Sequence, residues 1–234
     1  MMINLKSWQT RHKTIMEQYL HELNQQQDSV ILKGGTALML CYGLNRFSED
    51  IDLDSPHYKL KEFTKRFCQK YKYDYRIAKD TQTVQRFMIH YRDGSKPLKV
   101  EISYRNKVIL PDTYQKVNGI SVYTIDRLAQ LKASAYQGRD KIRDLYDVCF
   151  ICNNYYSELS ESTQNLIRDA LSFKGFEHFD YIVNTQSDPL IDKNQLAEDY
   201  LKMYDKLDLL YTSDEKKTLV QDKDSKQSSH HTEK

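Results

Sequence analysis

Carboxylates on alternate residues make the segment 50–54 a candidate metal-binding strand. Its sequence alternates aspartate with isoleucine or leucine, which is typical of a half-buried β-strand. The alternation puts Asp50 and Asp52 side by side on one face, while Ile51 and Leu53 face the core. Two carboxylates this close repel each other unless a cation lies between them, and Mg²⁺ prefers such oxygen ligands. The pattern therefore indicates a divalent-cation site on this strand.

A glycine pair lies shortly before this strand, at the start of a predicted helix. Lys33 is followed by Gly34 and Gly35, which have no Cβ and let the backbone approach a ligand closely. Thr36 is predicted to cap the helix, whose first turn offers unpaired N–H groups to an anion. A turn of this kind beside paired carboxylates is typical of a site for a magnesium-bound nucleotide.

A third carboxylate is predicted on a later strand. Residues 97–105 alternate apolar and polar side chains, with Leu98, Val100 and Ile102 on the apolar side. Glu101 therefore projects from the opposite face of that strand. An acidic side chain on a strand next to the aspartate pair is what a two-metal phosphoryl-transfer site uses. The alternative is an edge strand that exposes lysine and glutamate to solvent.

Three short motifs follow one another along the chain, and their order is more specific than any one of them. The first comprises Gly34, Gly35, Thr36, Arg46, Ser48, Asp50 and Asp52. The second is Lys132 in a predicted helix, and the third reads Arg143-Asp144-Leu145-Tyr146-Asp147. In this order the motifs resemble the AbiEii/AbiGii toxin group of the nucleotidyltransferase superfamily, whose fold is like that of DNA polymerase β.

The resemblance implies a metal-dependent transfer of a nucleoside monophosphate (NMP) from a nucleoside triphosphate (NTP) to an acceptor hydroxyl, with release of pyrophosphate. It implies catalytic roles for Asp50, Asp52, Glu101 and Lys132, and the three carboxylates would bind two Mg²⁺ ions. The implied nucleotide-binding residues are Lys33, Gly34, Gly35, Thr36, Ser48, Arg143, Asp144 and Asp147. A lysine can neutralise triphosphate charge, and whether Asp144 or Asp147 positions it stays open.

The acceptor and the partners are implied less directly. The resemblance implies a toxin of a toxin–antitoxin or abortive-infection system, with a cognate antitoxin and an RNA acceptor such as the tRNA 3′ end. A predicted amphipathic helix over residues 59–71 has a basic stripe that would suit RNA phosphates, formed by Lys61, Lys65, Arg66 and Lys72. The alternatives are a protein hydroxyl as acceptor, a kinase-like transfer, and a non-catalytic RNA- or protein-binding module on the same fold.

The composition is typical of a globular protein. The chain has 234 residues, of which 39% are hydrophobic and 29% are charged. Its 35 basic and 33 acidic residues give a net charge of +2, so any basic surface for nucleic acid must be local. No apolar run is long enough to cross a bilayer, and the N-terminus lacks the apolar core of a signal peptide. We therefore expect a cytoplasmic protein.

The order of predicted elements favours an α+β fold. With the resemblance, it predicts a nucleotidyltransferase-fold mixed β-sheet with helices over residues 1–118 and an α-helical C-terminal domain over residues 119–211. Residues 212–234 are charged and polar, which predicts a disordered tail. Residues 175–187 are predicted to form an aromatic loop, and residues 190–210 a helix with a buried apolar side.

Overall fold

The computed structural model describes residues 6–91 and 96–210 of the chain. The hairpin turn predicted at residues 92–96 lies almost wholly outside these ranges. The tail predicted to be disordered, residues 212–234, also lies outside the described residues.

A mixed seven-stranded sheet runs through the described chain in the order β3-β4-β5-β2-β1-β7-β6. The strands are β1 (Ile31–Lys33), β2 (Asp50–Asp54), β3 (Asp74–Asp80), β4 (Val84–His90), β5 (Leu98–Ser103), β6 (Tyr114–Val117) and β7 (Ile120–Tyr123). The two parallel pairs are β2 with β5 and β1 with β7, while the other neighbours are antiparallel. The sequence predicts strands at residues 29–32, 50–54, 73–79, 83–91 and 97–105, which correspond to β1–β5, but it missed the short β6–β7 hairpin.

The sequence predicts helices over residues 7–24, 59–71, 140–155, 160–173 and 190–210, one that starts at Thr36 and one that Thr124 caps. The observed helices agree with these positions, with one exception. They are α1 (Ser7–Gln26), α2 (Gly34–Cys41), α3 (Lys61–Tyr71), α4 (Ile125–Gly138), α5 (Ile142–Tyr155), α6 (Glu161–Lys174), α7 (His178–Thr185) and α8 (Lys193–Lys206). The aromatic loop predicted over residues 175–187 is wrong, because α7 lies within it. Thr124 caps α4 as expected, since its side chain accepts a hydrogen bond from the Arg127 backbone N–H.

The sheet has one strongly apolar face next to the site strands. Ile51 of β2 and Val100 of β5 lie directly opposite each other and are fully buried. Gln85 of β4 shares this face, and its side-chain oxygen accepts a hydrogen bond from the backbone N–H of Leu60, just before α3. Helix α3 therefore packs on the apolar face. This leaves the opposite face of β2 and β5 for the carboxylates.

The predicted boundary at residue 118 falls in the turn between β6 and β7. Asn118 and Gly119 both have positive φ angles there, 49° and 79°, as the tight turn of a two-residue hairpin requires. Since β7 pairs with β1, the sheet includes the first residues of the predicted helical domain. The division into two domains at this point stays a prediction.

By compactness, the chain divides after Ile191, and α8 belongs to the second unit. In α8 the predicted buried positions Leu196, Tyr200 and Met203 are buried. Among residues 6–91 and 96–210, no helix combines the length and the apolar character that a membrane span needs. The combination of mixed sheet and helices confirms the predicted α+β class.

Candidate active site

The register between two parallel strands brings the predicted carboxylates together. Asp52 of β2 lies directly opposite Glu101 of β5, and Asp50 lies opposite Lys99. Directly opposite residues point to the same face of a sheet, so all four side chains share the face away from Ile51. The side chains of Asp50, Asp52 and Glu101 are 37%, 35% and 25% exposed. This is the arrangement that alternation predicted.

Basic residues of the chain neutralise these carboxylates. Lys99 Nζ lies 2.8 Å from Asp50 Oδ2 and 3.9 Å from Asp52 Oδ1. Arg86 Nε lies 2.5 Å from Glu101 Oε2. The pKa of Asp52 is nevertheless raised, because partial burial and the neighbouring Asp50 and Glu101 charges outweigh the attraction of Lys99. The positive charge of Lys99 therefore does not fully compensate for the cost of ionising Asp52 in the folded protein.

The donor set fits a hard divalent cation by its chemistry. Asp50, Asp52 and Glu101 offer only carboxylate oxygens, and an ammonium group already bridges the two aspartates. As the side chains are placed, however, no three His, Cys, Asp or Glu residues within the described ranges form a group that could hold a metal ion. Metal binding at these residues would require the carboxylates to turn from their basic partners, and it stays a prediction.

The glycine pair at the start of α2 is packed against the site. Gly34 has a φ of 79°, a conformation that residues with a Cβ rarely adopt, and a Cβ there would lie 3.1 Å from Asp52 Oδ2. A Cβ on Gly35 would lie 2.7 Å from Arg46 Nη2 and 2.9 Å from Ser48 Oγ. Both glycines therefore allow α2 to begin directly beside β2.

Thr36 is not the helix cap that the sequence predicted. The N-cap residue of α2 is Lys33, so Thr36 lies inside the first turn. Its buried hydroxyl is hydrogen-bonded to the hydroxyl of Ser48, at 2.9 Å, and to the backbone carbonyl of Asp50. Thr36 thus connects α2 to the start of β2. The predicted cap was wrong because the Thr36 hydroxyl bonds to Ser48 and Asp50, and not to a backbone N–H of its own helix.

Replacing Gly35 with alanine is expected to destabilise the protein by about 1–3 kcal/mol, because the added methyl group overpacks the contact with Arg46 and Ser48. Urea denaturation of the purified protein would measure this loss. The matched control is Gly138→Ala, since a Cβ at Gly138 would meet nothing within 4 Å. Equal stability of both variants would show that Arg46 and Ser48 can move to make room for the added methyl group.

A buried ion cluster holds Lys132 at the site. Arg46 donates two hydrogen bonds to Asp147, each 2.7 Å long, and the two side chains are 3% and 0% exposed. Lys132 Nζ lies 2.6 Å from Asp147 Oδ2 and 3.5 Å from Asp144 Oδ1. Burial by itself would raise the pKa of Asp147, but Lys132 and Arg46 overcome that effect and lower it. Both candidate aspartates therefore contact the lysine, and Asp147 is the nearer.

Other predicted binding residues have partners that the sequence did not reveal. Lys33 Nζ lies 2.5 Å from Asp54 Oδ1, a buried carboxylate on β2. Arg143 pairs with Asp188 and, at 3.4 Å, with Glu49. In the same region, Arg139 donates hydrogen bonds of 2.6 and 3.1 Å to Asp144. The pairs of Lys33 and Arg143 join residues far apart in sequence, so no local pattern indicated them.

Most of the predicted site residues line two adjoining cavities. The first has a volume of about 640 Å³, and the predicted residues lining it are Gly35, Ser48, Asp50, Asp52, Glu101, Lys132, Arg143 and Asp144. The second, of about 550 Å³, is lined by Lys33 and Gly34 and shares Gly35, Asp52 and Lys132 with the first. Thr36 and Asp147 are buried beneath these surfaces, so they do not line either cavity.

A comparison with protein families decides the relationship. Residues 18–222 match the family of nucleotidyl transferase AbiEii toxins of type IV toxin–antitoxin systems. The chain belongs to the AbiEii nucleotidyltransferase toxin family. The match confirms the resemblance that the three motifs indicated, and it places them in a family of transferases.

Solved structures support the same fold for this AbiEii family member. It is similar to JHP933 from Helicobacter pylori, with 28% identity and a TM-score of 0.75 over 97% of this chain and 100% of that chain. A putative nucleotidyltransferase from H. pylori gives 28% identity and a TM-score of 0.71 over 89% and 100%. The nucleotidyltransferase toxin MenT4 from Mycobacterium tuberculosis, at 15% identity, gives a TM-score of 0.53 over 89% and 86% and shows the fold alone. No curated protein gives a significant match.

Proposed function

We propose that this AbiEii family member is a Mg²⁺-dependent enzyme that transfers NMP from an NTP to an acceptor hydroxyl and releases pyrophosphate. The observation that carries this proposal is the meeting of Asp50, Asp52 and Glu101 on one sheet face, at a cavity that Lys132 also lines. A cavity of about 640 Å³ is within the usual range for a small-molecule site. Family membership supports the transferase class.

The three carboxylates are the residues that would hold Mg²⁺. When bound, Mg²⁺ supplies positive charge to the triphosphate and favours ionisation of the attacking hydroxyl. Glu101 lies at the side of Asp52 away from β1, where its carboxylate could accept the proton of that hydroxyl. Gly34 and Gly35, at the start of α2, present backbone N–H groups to the triphosphate.

Lys132 would neutralise the charge that leaves with pyrophosphate. Its side chain is 12% exposed and lines both cavities, so its ammonium can reach a phosphate from either one. Asp147 holds it from below at 2.6 Å, while Asp144 is shared between Lys132 and Arg139. We therefore assign the positioning of Lys132 to Asp147 and place Asp144 at the cavity wall, together with Ser48 and Arg143 as nucleotide-binding residues.

We propose RNA as the acceptor, and the shape of the site supports a single strand. The basic stripe of α3 lies on the apolar side of the sheet, away from Asp52. The second cavity shares Leu131 and Ser134 with a third, which is lined by residues of α4, Arg127 among them, and of α6. An arginine beside such a groove suits the phosphates of a single strand.

This reaction would take place in the cytoplasm, where NTPs and RNA are available. A cognate antitoxin is the second proposed partner, since the family consists of toxins of type IV toxin–antitoxin systems. The tRNA 3′ end is the RNA that we propose to test first.

Labelling at two positions of the NTP tests the reaction class. Purified protein is incubated with Mg²⁺, bulk RNA and an NTP labelled at either the α- or the γ-phosphate. We expect label from the α-phosphate in RNA and label from the γ-phosphate in pyrophosphate, because the bond between the α- and β-phosphates breaks. The tRNA fraction is then sequenced at its 3′ end to identify the added nucleotides.

The other outcomes separate the alternatives. Transfer of the γ-label to the acceptor, with release of a nucleoside diphosphate, would establish a kinase-like enzyme. An α-label found only in protein would establish a protein acceptor. Binding of RNA without transfer of either label, for each of the four NTPs, would favour a non-catalytic module.

A further inference from the structure

Two basic side chains form ion pairs with the carboxylates of the candidate metal site. Lys99 lies directly opposite Asp50 in the strand register, and its ammonium contacts Asp50 at 2.8 Å and Asp52 at 3.9 Å. Arg86 of β4 lies directly opposite Glu101 and contacts it at 2.5 Å. Each of the three carboxylates therefore has a cation of this chain beside it.

The position of Lys99 is fixed by the sheet. Its backbone belongs to the middle of the β2–β5 ladder, and its side chain is 27% exposed. The ammonium lies between two carboxylates that would otherwise repel each other, so it stabilises the metal-free protein. A divalent cation held by Asp50 and Asp52 would bind the same two carboxylates.

We propose that Lys99 is an internal competitor of the divalent cation and sets the affinity of the site for it. The inference rests on the proposed metal-dependent function, and it concerns the state before nucleotide binds. An ammonium group and a divalent cation repel each other and require the same carboxylate oxygens. The cation therefore binds only as Lys99 leaves Asp50 and Asp52. Arg86 competes in the same way, but only at Glu101.

The inference predicts that removing the Lys99 charge tightens metal binding. Lys99→Met keeps the length of the side chain, and we expect this variant of the full chain to bind Mn²⁺ on the order of tenfold more tightly than the wild type. Electron paramagnetic resonance of free Mn²⁺, without nucleotide, would measure the affinity. Lys99→Arg keeps the competing charge and is expected to bind within about threefold of the wild type.

The matched control is Lys96→Met. Lys96 lies three residues earlier and pairs with Glu49 at 3.0 Å, but it does not contact the three carboxylates. Its removal is expected to leave the Mn²⁺ affinity within about twofold, because an exposed charge at a distance is screened by water and salt. Tighter Mn²⁺ binding by Lys96→Met would mean that the effect of Lys99→Met comes from the net charge of the protein and not from the position of Lys99.

A second measurement keeps the inference testable if Lys99→Met folds poorly. Arg86→Met leaves the Asp50–Lys99 pair intact and is expected to tighten Mn²⁺ binding by a smaller factor, since it frees only Glu101. Equal or weaker binding by the Lys99→Met and Arg86→Met variants, or no saturable binding to any variant, would overturn the inference. The variants could show the expected Mn²⁺ affinities although the wild type transfers neither label. That result would count against the proposed function and not against the inference about Lys99.

Discussion

Replacing Asp52 with asparagine is expected to lower the rate of NMP transfer by about 10²–10³-fold, which is the usual cost of losing one group that stabilises the transition state. The same variant is expected to be as stable as the wild type or slightly more stable. The reason is that burial and the neighbouring carboxylates raise the pKa of Asp52, so its negative charge is unfavourable in the folded protein. Transfer of α-labelled NMP and urea denaturation would measure the two effects.

This opposition between rate and stability distinguishes a functional acid from a structural one. The control is Asp28→Asn, because Asp28 is an exposed residue whose ion pair with Lys116 is far from the site strands in sequence. We expect the control to change neither quantity. A variant at Asp52 that keeps the wild-type rate would remove the main support for the enzymatic proposal.

Asparagine at position 147 is expected to reduce the free energy of unfolding by about 3–5 kcal/mol, since it leaves Arg46 and Lys132 buried without their common counter-ion. This is a large part of the 5–15 kcal/mol that typically separates folded and unfolded states. Chemical denaturation followed by circular dichroism would measure the loss. Because the lysine is also freed, transfer should fall even at temperatures where the variant is folded.

Asp140→Asn is the control for this variant. Asp140 also contacts two basic residues, Lys174 and His178, but its side chain is 42% exposed. Exposed pairs contribute little, so its loss should cost much less than the loss of the Asp147 carboxylate. A similarly small loss at Asp147 would mean that Arg46 and Lys132 find other partners when the carboxylate is removed.

The parts of the site that depend on local alternation could be predicted from the sequence. Alternation predicted the face of β2 that Asp50 and Asp52 share and the face of β5 that Glu101 takes, because the orientation of a strand side chain depends on its position in the strand. The family resemblance implied that the third carboxylate joins the other two. The three motifs gave the family. Together these signals were sufficient for the fold class and for eight of the eighteen residues that line the first cavity.

The ion pairs could not be predicted in the same way. Arg46 and Asp147 are 101 residues apart, and Lys33 reaches a buried aspartate on another strand. A long basic side chain has many possible partners, and only the folded backbone selects one. The β6–β7 hairpin had a local signal, the Asn118-Gly119 turn, but its four-residue strands are too short for a clear period. Short α7 was missed for a similar reason.

The central position of β1 affects how the protein is made. Its neighbours are β2, which follows shortly in the chain, and β7, which follows much later. A nascent chain on the ribosome therefore exposes one side of β1 until Tyr123 has been synthesised, and Lys132 lacks its counter-ion until Asp147 emerges.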